Sequence, residues 1–166
     1  MPFVVASLVI VADRISKISI HGTLGLFDSV SVIPGWLRIV HTENPGAAFG
    51  FLAEGNPYLR SAVLVGISAL VLVFVASALW GRGSSFTTIG ARLGLSLVLG
   101  GAAGNLYDRI AHGTVTDFIE VYHGTWSFPA FNVADSAITV GAILLLIELL
   151  LPRQKRAGER AGFAHK

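Results

Sequence analysis

Four long apolar stretches, separated by polar segments, dominate the chain. The clearest covers residues 61–80, where twenty consecutive positions carry no charged side chain. A helix needs about 20 apolar residues to cross the hydrocarbon core of a bilayer, so this stretch predicts a transmembrane helix. The other three stretches cover residues 2–20, 87–107 and 133–151. We therefore predict four membrane spans.

The first stretch differs from the others because Asp13, Arg14 and Lys17 interrupt it. No basic segment precedes its apolar run and no clear small-residue cleavage site follows, which favours a first span over a cleaved signal peptide. Asp13 and Lys17 are four residues apart with the acid first. That order favours an ion pair on one helix face, and we expect the pair to be structural rather than catalytic.

The polar segment at residues 22–57 is too long for a plain connection between two helices. It contains two strand-like runs, residues 29–33 and 36–41, joined at Pro34-Gly35. Runs of this kind around a turn predict a hairpin. We expect a small β-platform on the membrane surface, with Trp36 as an interfacial anchor.

Basic residues indicate the orientation of the chain. Five of the twelve Lys and Arg residues lie in the tail at residues 153–166, and Arg82 lies in the short link at residues 81–86. The positive-inside rule places both segments and both termini in the cytoplasm. The polar segments 22–57 and 110–130 then lie outside. The basic cluster is too small and too local to form a nucleic-acid surface.

The composition agrees with a membrane protein. Hydrophobic residues make up 53% of the chain and charged residues 13%, and the mean hydropathy is +0.69. A soluble domain of this composition would expose too much apolar surface. We expect residues 1–166 to form one all-α membrane domain with four helices and the small platform. The absence of cysteine excludes a thiol nucleophile, a CxxC pair and any disulfide.

Two acidic residues carry the strongest sign of chemistry. Asp117 and Asp135 flank the mouth between the last two apolar stretches. A carboxylate at the edge of hydrocarbon is costly without a partner or a task, so the pair suggests an aspartic peptidase. Helix capping is the competing interpretation, because Asn132 three residues before Asp135 is typical of a helix start, and residues 117–120 are similar.

A second polar group comprises Asn105, Asp108 and Arg109, whose spacing places them on one helix face. They could form an interfacial helix end, where Arg109 snorkels and Asp108 meets water. Alternatively, they could form a wall that holds substrate, with Asn105 offering hydrogen bonds and Arg109 bracing a carboxylate.

Other functions leave weaker signals. The five histidines show neither HExxH nor an i, i+4 pair, which argues against a zinc peptidase, and no GxSxG serine motif is present. A proton-coupled transporter is the alternative from another class, and its relay groups would be Asp13, Lys17, Asp108 and Asp135. These residues do not trace a path across the bilayer. A non-catalytic scaffold packed through the small residues 100–104 would leave the acids unexplained.

Five motifs in order resemble the bacterial lipoprotein signal peptidases, or signal peptidase II, along essentially the whole chain. The motifs are Asp13-Arg-Ile-Ser-Lys17, Asn44-Pro-Gly46-Ala-Ala-Phe49, Gly100-Gly-Ala-Ala-Gly-Asn105-Leu-Tyr-Asp108-Arg109, Val115-Thr-Asp117-Phe118 and Phe131-Asn132-Val-Ala-Asp135. The resemblance implies cleavage of prolipoprotein signal peptides before a diacylglyceryl-modified cysteine, at the outer leaflet of the bacterial cytoplasmic membrane. It implies that no metal or cofactor is needed, that the protein contacts membrane lipids, and that it is a monomer.

The resemblance also implies roles for individual residues. Asp117 and Asp135 would form the catalytic dyad. Four residues would hold the substrate or the dyad, and three would support the helices: Asn44, Asn105, Arg109 and Asn132 in the first group, and Asp13, Lys17 and Asp108 in the second.

Overall fold

The computed structural model describes residues 2–46, 56–80 and 88–150. Four long helices and a four-stranded antiparallel sheet make up this part of the chain. The helices are α1 (Pro2–Thr23), α2 (Pro57–Trp80), α3 (Ile89–His112) and α4 (Val133–Leu150). The strands are β1 (Ser29–Ile33), β2 (Leu37–Asn44), β3 (Val115–His123) and β4 (Trp126–Ser127). The predicted link at residues 81–86, the tail at residues 153–166 and the end of the Asn44–Phe49 motif lie outside the described residues.

Three of the described helices, α2, α3 and α4, are long and apolar enough to cross a membrane. Helix α1 has 22 residues but is not among them. Its charges are the reason, because every 18-residue stretch within it contains Asp13, Arg14 and Lys17. The structure therefore supports a mostly helical membrane protein with three candidate spans, and the fourth span stays a prediction.

Helix α3 is the centre of the bundle and packs against α1, α2 and α4. Glycines allow close contact, because a Cβ on Gly100 would lie 2.7 Å from the backbone oxygen of Ala6 in α1. The Thr88 hydroxyl accepts a hydrogen bond from Ala91 N at the start of the helix, and Gly113, at φ 79°, ends it. The helix continues to residue 112, beyond the predicted end at residue 107.

The sheet corrects the predicted platform. Its strand order is β1-β2-β3-β4, and β3 and β4 come from the segment between α3 and α4 rather than from the segment between α1 and α2. Strand β3 was missed because apolar and polar residues do not alternate along its sequence. In the structure its first four residues are all buried, including the polar Thr116 and Asp117. Its β-branched and aromatic residues were the available signal. Asp117 therefore lies in a strand, and the helix-cap interpretation of residues 117–120 was wrong.

Candidate active site

Asp117 lies in β3 with only 3% of its surface exposed. It faces the end of β2, where Asn44 Nδ2 donates a hydrogen bond to Asp117 Oδ2 at 3.0 Å. The hydroxyl of Thr42 donates to the backbone oxygen of Asp117 at 3.1 Å. Pairing of β2 with β3 therefore holds Asp117 in place through both its backbone and its side chain.

Asp135 lies in the first turn of α4, three residues after the N-cap residue Asn132. The backbone N–H of Asp135 donates to Asn132 Oδ1 at 2.9 Å, and the backbone N–H of Asn132 donates to Asp135 Oδ2 at 3.3 Å. These reciprocal bonds form a capping box. The capping interpretation is therefore confirmed for this segment. Asp135 remains only partly buried.

Asn132 also connects the two carboxylates. Its Nδ2 donates to Asp117 Oδ1 at 2.7 Å, while its other polar atoms cap Asp135. The same Nδ2 lies 3.3 Å from both Asn105 Oδ1 and Thr116 O. Asn132 is fully buried, so its amide has no solvent partner and must be satisfied within this network. One residue thus caps the helix and, through its side-chain amide and its backbone N–H, joins the two acids.

Asn105 reaches the site from α3. Its Nδ2 donates to Asp135 Oδ1 at 2.7 Å, and its Oδ1 accepts a hydrogen bond from Lys17 Nζ at 3.2 Å. These partners determine the orientation of the amide, since a lysine can only donate and an ionised carboxylate can only accept. Asn105 therefore connects Lys17 in α1 to a carboxylate in α4.

Behind this network lies a buried ion cluster. Lys17 Nζ is 2.8 Å from Asp13 Oδ2 and 2.6 Å from Asp108 Oδ2, so the predicted Asp13–Lys17 ion pair is present. Asp108 Oδ1 also lies 2.5 Å from Arg14 Nη1. The interpretation in which Asp108 meets water was wrong, because its exposed fraction is 1%. Two basic and two acidic side chains thus lie together behind the dyad.

Asp13 links the cluster to α4. Its Oδ1 accepts a hydrogen bond from Ala134 N at 3.0 Å, in the first turn of that helix. A Cβ on Gly104 would lie 2.7 Å from Asp13 Oδ2, so glycine at this position leaves room for the carboxylate. The small-residue patch therefore serves the placement of Asp13 as well as helix packing.

Arg109 lies beside the carboxylates on α3. Its Nη1 donates to Asn105 O at 3.3 Å, and its charge interacts with those of Asp135 and Asp117. Its Nε is buried and has no hydrogen-bond partner among the described residues.

The surroundings of Asp117 change its protonation. Burial raises the pKa of Asp117 to about 6. The hydrogen bond from Asn44 opposes this increase in the pKa, the negative charge of Asp135 adds to it, and the hydrogen bond from Asn132 opposes it. Near neutral pH such a carboxyl can gain or lose a proton at little cost, which suits acid–base chemistry.

The residues selected from the sequence all lie in this network or directly beside it. Sequence reasoning missed Arg14 and Thr116. Arg14 was seen only as an interruption of an apolar stretch, because its partner Asp108 lies on another helix and the pairing of α1 with α3 has no local signal. Thr116 contributes a backbone oxygen from a strand that was not predicted.

Comparison with known proteins identifies the relatives of this chain. The family model for signal peptidase (SPase) II matches residues 5–151. The chain is 42% identical over 153 residues to the lipoprotein signal peptidase of Solibacter usitatus, covering 92% of each protein. It is 44% identical over 160 residues to a lipoprotein signal peptidase of Pseudomonas fluorescens, covering 94% of this chain and 89% of the relative.

A solved structure agrees with the sequence relatives. A bacterial membrane enzyme determined by the in meso method at 2.3 Å resolution superposes with a TM-score of 0.78 at 32% identity, covering 90% of this chain and 87% of that one. Because the structural match extends over nearly the whole fold and the family model over nearly the whole sequence, the chain belongs to the signal peptidase II family and is a peptidase.

Proposed function

We propose that this protein is a membrane-embedded aspartic endopeptidase that removes signal peptides from diacylglyceryl-modified bacterial prolipoproteins, cutting before the lipidated cysteine. The observation that carries the proposal is the hydrogen-bond network that joins Asp117 and Asp135 through Asn132. Family membership supports the reaction class, and the names of the relatives support the substrate. A transporter would explain neither the membership in a peptidase family nor the names of the relatives.

The two carboxyls have different tasks because they share one proton. Like charges a few ångströms apart do not both ionise easily. Burial raises the pKa of Asp117 to about 6, so this carboxyl retains a proton more readily than an ordinary aspartate. Asp135 lies in the first turn of α4, where the helix dipole favours a negative charge. We assign the proton to Asp117 and the charge to Asp135.

The chemistry follows from that assignment. Asp135 takes a proton from a water molecule as the water oxygen attacks the scissile carbonyl carbon. Asp117 donates its proton to the carbonyl oxygen, which gives a neutral tetrahedral diol. Asp135 then passes its proton to the leaving amine, Asp117 recovers a proton from a diol hydroxyl, and the C–N bond breaks. Both carboxyls return to their starting states.

Four polar residues hold the dyad and the substrate. Asn105 and Asn132 orient the two carboxylates through the hydrogen bonds described above. Asn44 and Arg109 lie beside the carboxylates and supply donors for substrate carbonyls. Arg109 suits this role because its positive charge interacts with both aspartates of the dyad.

Three charged residues brace the helices behind the dyad. Lys17 of α1 contacts Asp13 of its own helix and Asp108 of α3, and Asp13 accepts a hydrogen bond from Ala134 N of α4. The cluster thereby joins the three helices that carry or contact the acids. We assign it a supporting role, since none of its members contacts a dyad carboxylate directly among the described hydrogen bonds.

Exposed apolar surface supports contact with lipid. Helix α1 exposes a stripe at helical spacing, while its charged residues Asp13 and Lys17 are buried in the bundle. Charged side chains in spanning helices turn inward in this way, and we propose α1 as the fourth span. The exposed stripe consists of Val4, Leu8, Val11, Ile15 and Ile18. We further propose that a monomer works in the cytoplasmic membrane with the dyad at the outer leaflet.

Substitution of each aspartate tests the dyad. Asp117→Asn and Asp135→Asn should each leave a folded, membrane-inserted protein and reduce cleavage of a diacylated prolipoprotein by several orders of magnitude, because each removes one proton-transfer group. Cleavage is measured by gel shift of the purified substrate. Asp28→Asn is the matched control and should retain activity, since Asp28 is exposed and its carboxylate accepts a bond from nearby Gly25 N. Near-normal turnover in either dyad variant would disprove the assignment.

A further inference from the structure

A second polar cluster lies near the aspartate network and serves no step of the proposed reaction. It comprises His21 at the end of α1 and His41 and Glu43 on β2. His41 and Glu43 are two residues apart, so they share the face of β2 opposite Thr42 and Asn44, which bond to the dyad aspartate of β3. The cluster is therefore on the reverse side of the strand from the dyad.

The ring of His41 is arranged as a metal ligand. His41 Nδ1 lies 2.9 Å from the backbone oxygen of Leu24, which can only accept, so Nδ1 carries the proton. In the neutral ring, Nε2 then offers a lone pair. This atom is buried and has no hydrogen-bond partner among the described residues, and His41 as a whole is only 6% exposed. Metal-binding histidines commonly donate their other ring N–H to a backbone carbonyl.

Distances within the cluster suit a tetrahedral ion. Glu43 Oε1 is 3.4 Å from His41 Nε2 and 3.6 Å from His21 Nε2, and the ligand atoms all lie within 4.8 Å of one another. Ligands about 2.0–2.1 Å from a tetrahedral zinc ion are about 3.4 Å apart. Hydrogen bonds from nitrogen to oxygen are shorter, about 2.7–3.2 Å, so the two contacts of Glu43 fit a shared ion better than direct bonds.

The carboxylate of Glu43 is held in position by its own partners. Thr114 Oγ1 donates to Glu43 Oε2 at 2.6 Å, and Thr116 Oγ1 donates to Glu43 Oε1 at 2.9 Å. Ligating carboxylates in metal sites are usually hydrogen-bonded in this way. Because the Thr116 hydroxyl proton is used, its oxygen accepts from His21 Nε2 at 3.0 Å. A bound ion would replace that His21 proton, which would then reside on Nδ1.

An ion can reach the cluster from solvent. The side chain of His21 is 52% exposed, and a cleft of about 280 Å³ is lined by His21, His41, Glu43 and Thr116. We propose that His21, His41 and Glu43 form a binding site for a zinc-class transition-metal ion. Two imidazoles with one carboxylate favour zinc and similar metals over magnesium or calcium, which prefer oxygen ligands. The bound ion would tie the end of α1 to β2 behind the dyad.

Metal titration tests the site directly. Purified protein, stripped with chelator, is titrated with zinc chloride by calorimetry, and its thermal midpoint is recorded with and without zinc. The wild type should bind one equivalent and become more stable, because the ion binds the folded state. Cobalt(II) should give the intense visible bands of tetrahedral coordination. Magnesium chloride should neither bind in the calorimeter nor raise the thermal midpoint.

Single substitutions identify the ligands. His41→Ala and His21→Ala should each weaken zinc binding by about 10- to 100-fold and abolish the thermal shift. The half-exposed His21 side chain keeps this test valid even if His41→Ala fails to fold. His123→Ala, on β3 beside Trp36, is the matched control and should bind zinc normally. Unchanged affinity in both ligand variants, or no saturable binding by the wild type, would overturn the proposal whether or not the dyad assignment holds.

Discussion

Single side chains perform several structural tasks at this site. Asn132 caps α4, bonds to Asp117 and contacts Asn105, all from a position without solvent exposure. A buried amide that loses one partner costs about 1–3 kcal/mol, so each of these contacts constrains the others. The network therefore holds its geometry because few rearrangements leave every polar group paired.

The protonation of Asp117 determines an expected pH dependence of cleavage. Burial raises its pKa to about 6, and the protonated form is the proposed acid. We expect kcat/KM to fall as pH rises above this value. The Asn44 hydrogen bond favours the ionised form and lowers the pKa, so Asn44→Ala should raise the pKa and move the alkaline limb to higher pH.

Thr42→Val provides the control for that experiment. Thr42 bonds to the backbone oxygen of Asp117 and not to its carboxylate, so the alkaline limb should stay in place. A limb that stays in place in Asn44→Ala, or moves to lower pH, would show that a group other than Asp117 governs it. The measurement is kcat/KM against pH with the diacylated substrate for all three proteins.

Among the secondary-structure elements, α1 positions the other helices. Its Asp13 accepts a hydrogen bond from Ala134 N in α4, and its Lys17 contacts Asp108 in α3. Charged groups of α1 thus define how α3 and α4 meet. Close helix approach permits this, because Gly104 leaves space for the Asp13 carboxylate.

Removing the charge of Lys17 should destabilise the bundle more than it impairs the chemical step. Lys17→Met leaves Asp13 as a buried, uncompensated charge, at a cost of about 3–5 kcal/mol. Adding Asp13→Asn removes that charge while keeping an oxygen to accept from Ala134 N, so the double variant should recover part of the loss. Thermal melts in detergent and activity per folded molecule measure the two effects separately.

Arg38→Met is the matched control for this series. Arg38 pairs with Glu120 on the sheet, and its own side chain is 36% exposed, so solvent partly screens the interaction and its loss should lower the melting temperature less than the loss of Lys17. Full stability of Lys17→Met with abolished turnover would instead give Lys17 a direct part in catalysis.

Across the whole molecule, the sheet constrains the topology. Strand β2 precedes α2 and strand β3 follows α3, yet the two strands are hydrogen-bonded neighbours. Both must therefore lie on the same side of the membrane, which requires an even number of crossings between them. The two candidate spans α2 and α3 supply that number. This argument is independent of the positive-inside rule and agrees with it.

Cysteine labelling tests which side carries the dyad. The chain has no native cysteine, so single cysteines at Ser84, Thr125 and Gly158 report their own position. Thr125 lies exposed in the turn between β3 and β4, on the sheet that carries Asp117. With a membrane-impermeant thiol reagent in intact cells, only Thr125→Cys should react, and all three should react after lysis. Reaction of Ser84→Cys or Gly158→Cys before lysis would place the dyad in the cytoplasm.

Elements with strong local signals could be predicted from the sequence. The charge-free run at residues 61–80 predicts its helix because its length matches a bilayer, and the hairpin at β1 and β2 follows from its turn residues. The Asp13–Lys17 pair follows from helical spacing alone. Recognisable motifs also identified Asp117 and Asp135 as candidates, although neither spacing nor composition could separate catalysis from capping.

The way these pieces meet became visible only in the folded chain. Strand β3 pairs with β2 although helices α2 and α3 separate them in sequence, and β3 lacks the alternation that normally marks the two faces of a strand. His21 and His41 approach each other because α1 packs onto the sheet, which is why spacing along the sequence predicted no metal site. Such long-range contacts depend on the packing of whole elements, and no short segment of sequence encodes its distant partner.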